Sequence, residues 1–277
     1  MTIPCRVDRP DLPATKLFST KIKGVARNRS ASLPCLTFYF LMRQPFKWRK
    51  ILRAYQPSSA ASQWQEEDYV EAARQMGELH ATFWNNTEQL APCSWLQRRT
   101  DHLSERQIQQ AKAQWQAMQE DVRFVVLIPG HRLRRVMQFL PLIVPLENLL
   151  VPFPLTVCHG DCHSDNVLRD THGELIWADW QEVGVGIGPE DLSFFFQRAF
   201  HTGSTLPYEA MITTYREQIE AQTRQPLPTT GLGEVLDIIE VRAWILQWPG
   251  YLGQASPQQL LKVLDRVDWL IDRLHLK

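Results

Sequence analysis

Residues 155–188 break the pattern of everything around them, and that break limits the folds open to the chain. On either side, apolar residues recur at three- and four-residue steps, as they do in amphipathic helices. Between them, "LTVCH" (155–159) reads as a short buried strand. "NVLRDTHGELIWADW" (166–180) reads as a hairpin, with Val167–Leu168 and Leu175–Ala178 as its arms and a turn at Asp170–Gly173. "EVGVGIGPEDLSFFF" (182–196) reads as a glycine-rich loop opening a helix that Pro189 and Glu190 start. Short strands set among helices make an α+β chain. A site is expected on their loops, which can aim side chains as helices cannot.

The flanking periodicity predicts helices over 66–85, 104–120, 132–140, 208–222, 232–248 and 257–275. In the first, Tyr69, Ala73, Met76, His80 and Phe83 share a face behind an acidic first turn. The second puts Ile108, Ala111, Trp115 and Met118 on one face, with Ser104 and Gln107 as a capping-box start. Leu232, Val235, Ile239 and Ile245 mark a helix that Pro249 and Gly250 stop. Leu260, Leu264, Val267, Ile271 and Leu274 form the seam of the last.

Charge is balanced overall, thirty basic residues against thirty acidic, so no affinity for nucleic acid is expected from the molecule as a whole. The balance is uneven along the chain. Residues 1–60 hold twelve Lys/Arg against Asp8 and Asp11 alone, a net of +10. An arm this basic fits a solvated tail, a nucleic-acid contact or a transit-like segment, although it lacks the amphipathic apolar repeat of the last. No apolar run reaches the ~18 residues of a membrane span, so no membrane partner is expected. The first residues lack the apolar h-region of a secretory signal, and the five cysteines have no regular spacing. A cytoplasmic location follows as the expectation.

"VCHGDCHSDNVL" (157–168) concentrates two cysteines, two histidines and two aspartates before Asn166. Covalent haem is excluded by spacing, because three residues separate Cys158 from Cys162 where two are needed. A zinc site would close its tetrahedron with His159, His163 and both cysteines. Yet Cys158 continues a buried strand, where a cysteine usually serves as a small hydrophobe, and Cys5, Cys35 and Cys93 are scattered. The carboxylates fit better. Asp161 and Asn166 stand five apart on one loop, and the hairpin folds Asp179 back toward them. Magnesium-assisted phosphoryl transfer needs one carboxylate to take a hydroxyl proton, with an amide oxygen and a second carboxylate holding the cation against nucleotide phosphates.

"HGDCHSDNVL" followed by "IWADWQEVGVGIGPEDLSFF" resembles the catalytic core of the aminoglycoside phosphotransferase and choline kinase-like family, relatives of the protein kinases. "GELHATFW" (77–84) is similar to that family's helix ahead of the core, and the resemblance covers about residues 64–277. It implies a protein-kinase-like fold whose mostly helical C-terminal lobe carries short catalytic β-hairpins. It further implies an ATP- and Mg2+-dependent transfer of the γ-phosphoryl group to a small-molecule hydroxyl. Asp161 would be the catalytic base and Asn166 and Asp179 the magnesium ligands. His159 would brace the loop, Asp191 would anchor it from within the fold, and His163 would be structural or substrate-adjacent. Aminoglycoside, choline, sugar or another hydroxyl compound would be read by the C-terminal helices, whose side chains carry no code for the choice.

Plainer readings compete at each position. Asp161 and Asn166 suit turns, and a helix-start aspartate such as Asp191 is more often a cap than a catalyst. Asp179, flanked by Trp177 and Trp180, would sit in an apolar strand, where an ionised carboxylate is costly unless paired. Gly184, Gly186 and Gly188 match no nucleotide-cradling pattern, and both tryptophans read as core.

A kinase-like fold closes ATP between the helical lobe and a smaller β-rich one carrying a phosphate-covering loop and a lysine. Residues 1–63 are short for that lobe and show no strand–glycine turn–strand; Lys21 or Lys23 in "STKIKG" is the nearest lysine, and "LTFYFLMRQ" (36–44) falls where the strand to the adenine-binding hinge belongs. The expected organisation is therefore a basic, reduced or divergent N-terminal lobe at 1–63 and a catalytic lobe at 64–277. Two functions follow. One is an active small-molecule kinase. The other is a non-catalytic remnant, a pseudokinase without a working ATP clamp.

Overall fold

The computed structural model describes residues 56–57, 64–86, 96–98, 105–169, 172–228 and 231–275. All belong to one compact unit, Gln56–Lys277. Lys21, Lys23, the 36–44 stretch, Cys5, Cys35, Cys93 and Ser104 lie outside the described residues.

The first long helix, α1 (Glu66–Thr82), opens on Glu66, Glu67 and Asp68, whose charge complements the exposed amides of the first turn; the Asp68 carboxylate accepts the Gln65 amide at 2.9 Å. Its inward face carries Tyr69, Ala73, Met76 and His80, while Phe83 falls beyond the last turn. Helices α2 (Glu105–Glu120) and α3 (Gly130–Phe139) follow, with a 3-10 turn and the short α4 (Ile143–Glu147) continuing the chain. After the β-rich segment come α5 (Pro189–Thr202), α6 (Tyr208–Thr223) and α7 (Leu232–Arg242). The helix expected over 232–248 is not one regular rod. At Ala243–Gln247 it widens to a π turn in which Trp248 N–H reaches back to Ala243 O at 2.9 Å. Pro249, which cannot donate to a continuing helix, starts α8 (Pro249–Leu252) instead. The last helix, α9 (Pro257–His275), buries Leu260, Leu264, Val267 and Ile271.

The strands form two three-stranded sheets. β1 (Gln56–Pro57), β4 (Val167–Arg169) and β5 (Leu175–Trp177) are antiparallel in the order β1-β4-β5, with Val167 opposite Trp177. In the other, β6 (Gly184–Ile187) lies between β2 (Gln97–Arg98), parallel to it, and β3 (Leu155–Cys158), antiparallel to it. The glycine-rich stretch expected as a loop is thus the central strand of a sheet. Gly184, Val185, Gly186 and Ile187 are all buried there, and β6 pairs on both edges.

Two apolar cores hold the helices. One gathers α1, α5, α6 and α7 around Leu192, Phe195 and Tyr215. The other gathers α2, α3, the π turn and α9 around Trp115, Phe139, Trp244 and Leu264. Trp115, fully buried, satisfies its indole N–H on Ile245 O of the π turn at 2.8 Å. The β-rich segment lies against the first core through Val167, Leu175 and Ile187. The arrangement is α+β, and no sheet among the described residues exceeds three strands.

Candidate active site

The site begins where β3 ends. After Cys158 the chain turns through Gly160, whose φ of +87° lies in the left-handed region that glycine enters without a Cβ penalty. That turn is held from below by Asp191 in the first turn of α5. Its carboxylate accepts the backbone amides of His159 at 2.6 Å and Gly160 at 2.9 Å, and the Nε2 of His80 at 3.1 Å. Asp191 is fully buried and does not cap its own helix. Burial works to raise its carboxyl, yet the hydrogen bond and charge of His80, the charge of His159 and the Gly160 amide together hold it below the ordinary carboxylate value.

His80 extends this anchor into the helices. Its Nδ1 lies 2.8 Å from the hydroxyl of Tyr215 on α6, whose own ionisation is pushed far upward by burial. The sequence marked His80 only as a member of the apolar face of α1 and did not single out Tyr215 at all. A histidine within a run of core positions was the available signal, because a buried imidazole requires partners. Gly188 completes the arrangement: a Cβ there would lie 2.5 Å from the Tyr215 hydroxyl and 2.7 Å from His80 Nδ1.

His159 ties the two halves of the site. Its Nε2 donates to Ala178 O at 2.8 Å, and its Nδ1 accepts the Asp161 amide at 3.3 Å, a pair of roles that requires the neutral ring. Burial favours the same form, lowering the imidazole below its ordinary value. Trp177 and Trp180, only partly buried, pack beside this ring with centroids at 5.5 and 4.4 Å.

Asp161, half-buried, faces Asn166 and His163. The Asn166 amide nitrogen donates to both the backbone carbonyl and the Oδ2 of Asp161, each at 2.9 Å. Asn166 O in turn accepts Ala178 N–H at 2.8 Å, which joins the Asp161 loop to the end of β5. His163 Nε2 lies 3.6 Å from Asp161 Oδ1, and its Nδ1 lies 3.5 Å from Asp165. Asp179 departs from the expected surroundings. β5 ends at Trp177, so Asp179 is exposed beyond the strand and pays no burial penalty. Its backbone is what sets it apart: φ 57° and ψ 61°, a left-handed conformation uncommon outside glycine and frequent at functional turns.

The cysteines stand apart from this oxygen-rich group. Cys158 is buried with its thiol directed at Ile187 O, and burial pushes the Cys162 thiol well up, so Cys162 remains a neutral side chain of the core. His80, Cys158 and Asp191 do lie close enough together to suggest a metal site. However, both His80 nitrogens and both Asp191 oxygens are already engaged in hydrogen bonds. The donors suited to a hard cation are instead the Asn166 amide oxygen and the exposed Asp179 carboxylate.

Comparison with known proteins gives the family and the fold. The model of the phosphotransferase enzyme family matches residues 41–227. No curated protein sequence matches. Among solved structures, an aminoglycoside phosphotransferase from Alicyclobacillus acidocaldarius superposes with a TM-score of 0.50 at 14% identity, over 80% of this chain and 69% of its own. A choline kinase from Cryptosporidium parvum gives 0.49 at 12% identity, over 78% and 67%. A choline/ethanolamine kinase family protein from Mesorhizobium loti gives 0.47 at 13%, over 79% and 67%. The chain thus spans about two thirds of the length of each, and the superposition on the Alicyclobacillus structure is one of protein-kinase-like fold.

Proposed function

The chain belongs to the phosphotransferase enzyme family, and from that premise we propose that it moves the γ-phosphoryl group of ATP onto a hydroxyl of a small molecule, with Asp161 as the base. The observation that carries this reading is the pairing of Asn166 with Asp161. By donating twice to Asp161, the Asn166 amide fixes the orientation of the carboxylate and leaves its own Oδ1 for a cation. The other Asp161 oxygen, on the His163 side, takes the proton of the acceptor hydroxyl. As that proton moves, the acceptor oxygen bonds to the γ-phosphorus, the bond from phosphorus to the bridging oxygen breaks, and ADP leaves.

Asn166 and Asp179 would hold magnesium, which when bound neutralises charge on the nucleotide phosphates. His159 keeps Asp161 and the Asp179 segment in register, because one neutral ring contacts the backbone of both strand ends. Asp191, through His159 and Gly160, fixes the turn that presents Asp161, and is a positioning residue. In the same reading residues 64–277 form the catalytic lobe.

The test is steady-state ADP release by Asp161→Asn in the full chain. Loss of the base lowers kcat by ~10²-fold or more and leaves the KM for Mg-ATP nearly unchanged. Equal turnover by Asp161→Asn and the unmodified chain would remove Asp161 from the mechanism.

A further inference from the structure

A cavity of about 250 Å3, lined by Phe194, Arg198, Gln247, Trp248 and Tyr251, opens beside the catalytic loop. Its nearness to that loop is set by side-chain contacts. The Phe194 ring lies 6.4 Å from that of His163, which itself touches Asp161, and Arg198 lies 4.0 Å from Asp165. The aromatic wall is continuous, with Trp248 edge-on to Phe194 at 5.6 Å and next to Tyr251 at 5.9 Å. The volume falls a little below the ~300–1,000 Å3 typical of drug-sized ligand pockets, so it suits a compact molecule.

Arg198 decides what kind of molecule. Its Nε is buried without a hydrogen-bond partner among the described residues, and its Nη2 reaches only an exposed carboxylate at 4.0 Å, beyond hydrogen-bonding distance. Arg198 lines the cavity, and a bidentate anion is the group that best matches its planar fork. Positive charge also bears on the Tyr251 end of the cavity. His201, which pairs with the Tyr251 hydroxyl at 3.2 Å, is held toward its neutral form by burial and then by the charges of Arg198 and Lys262. Aromatic rings alone also attract cations. Here a cationic ligand would have to lie against Arg198 itself, and like charge opposes it.

We propose that this cavity receives the phosphoryl acceptor, and that the acceptor is anionic: a compact hydroxy compound whose carboxylate or phosphate pairs with Arg198 while its carbon skeleton packs on Trp248 and Tyr251. The proposal rests on the phosphotransferase reading above and adds the substrate class.

The experiment compares glucose, glucosamine, gluconate and glucose 6-phosphate as ligands of the full chain by calorimetry, and as acceptors with Mg-ATP by ADP release. The expected result is binding of gluconate or glucose 6-phosphate at least about tenfold tighter than glucose or glucosamine, a preference that Arg198→Gln abolishes and Arg198→Lys partly keeps. The gluconate and glucose 6-phosphate arms separate carboxylate from phosphate recognition. Tighter binding of glucose or glucosamine, anion binding unmoved by Arg198→Gln, or no binding of any of the four at millimolar concentration would overturn the proposal. Arg198-dependent anion binding with no phosphoryl transfer would uphold the anion site and count against the kinase reading instead.

Discussion

Asn166 directs its side-chain amide nitrogen at Asp161 twice, at the backbone carbonyl and at the carboxylate, each at 2.9 Å. If Asp161 is the base and Asn166 a cation ligand, as proposed, two groups held by one another in this way cannot be changed independently. Asn166→Ala is therefore expected to lower kcat by ~10²-fold and to raise the magnesium concentration giving half-maximal rate. A residue serving only the fold would lower the melting temperature and leave the magnesium requirement where it was.

Asp191 takes three donors in a site without water access, the amides of His159 and Gly160 and the Nε2 of His80. Asp191→Ala strands all three and is expected to cost about 3–5 kcal/mol. Urea unfolding followed by tryptophan fluorescence reads this directly. A loss under 1 kcal/mol would mean that the turn at Gly160 holds without its anchor.

Gly188→Ala places a methyl group 2.5 Å from the Tyr215 hydroxyl and 2.7 Å from His80 Nδ1. The expected destabilisation is ~1–3 kcal/mol, the usual cost of overpacking. Tyr215→Phe removes the nearest atom, so the double variant should lose less than the two single losses added together. Additive losses would show that the crowding lies elsewhere.

Several of these relationships were legible in the residue pattern, and others were not. Helical periodicity located α1, α2, α6 and α9 to within a few residues, because each buries one continuous stripe. It did not foresee the π turn at Ala243–Gln247, where Pro249 and the packing of Trp115 on Ile245 O override a continuous apolar pattern. Nor did it separate a strand from a loop at Gly184–Ile187, since glycine favours neither until partners on both edges are known. In the site, the close sequence spacing of Asp161 and Asn166 put both on one loop, and the hydrogen bond between them came only with the structure. His80 joins Asp191 across 111 residues of chain and Tyr215 across 135, and no local pattern carries such contacts.

Stability should also fall with acid over a defined range. Burial lowers the folded-state imidazole of His159, so the unfolded chain binds the proton more readily. The contribution is complete above the unfolded value of about 6.5 and is lost as pH falls from there toward the lowered folded value. Unfolding free energy measured between pH 8 and pH 5 is expected to decline below about 6.5, and His159→Asn should flatten that slope. A slope unchanged in the variant would assign the pH dependence to other groups.

The most direct measurement of the central claim is titration of Mg-ATP into the unmodified full chain by calorimetry, with Asp179→Ala and Asp161→Asn alongside. A magnesium-dependent phosphotransferase predicts saturable binding, weakened about tenfold or more by Asp179→Ala and nearly unmoved by Asp161→Asn. No binding of the unmodified chain at millimolar nucleotide would contradict it, and would make this protein a kinase-like remnant without an ATP clamp.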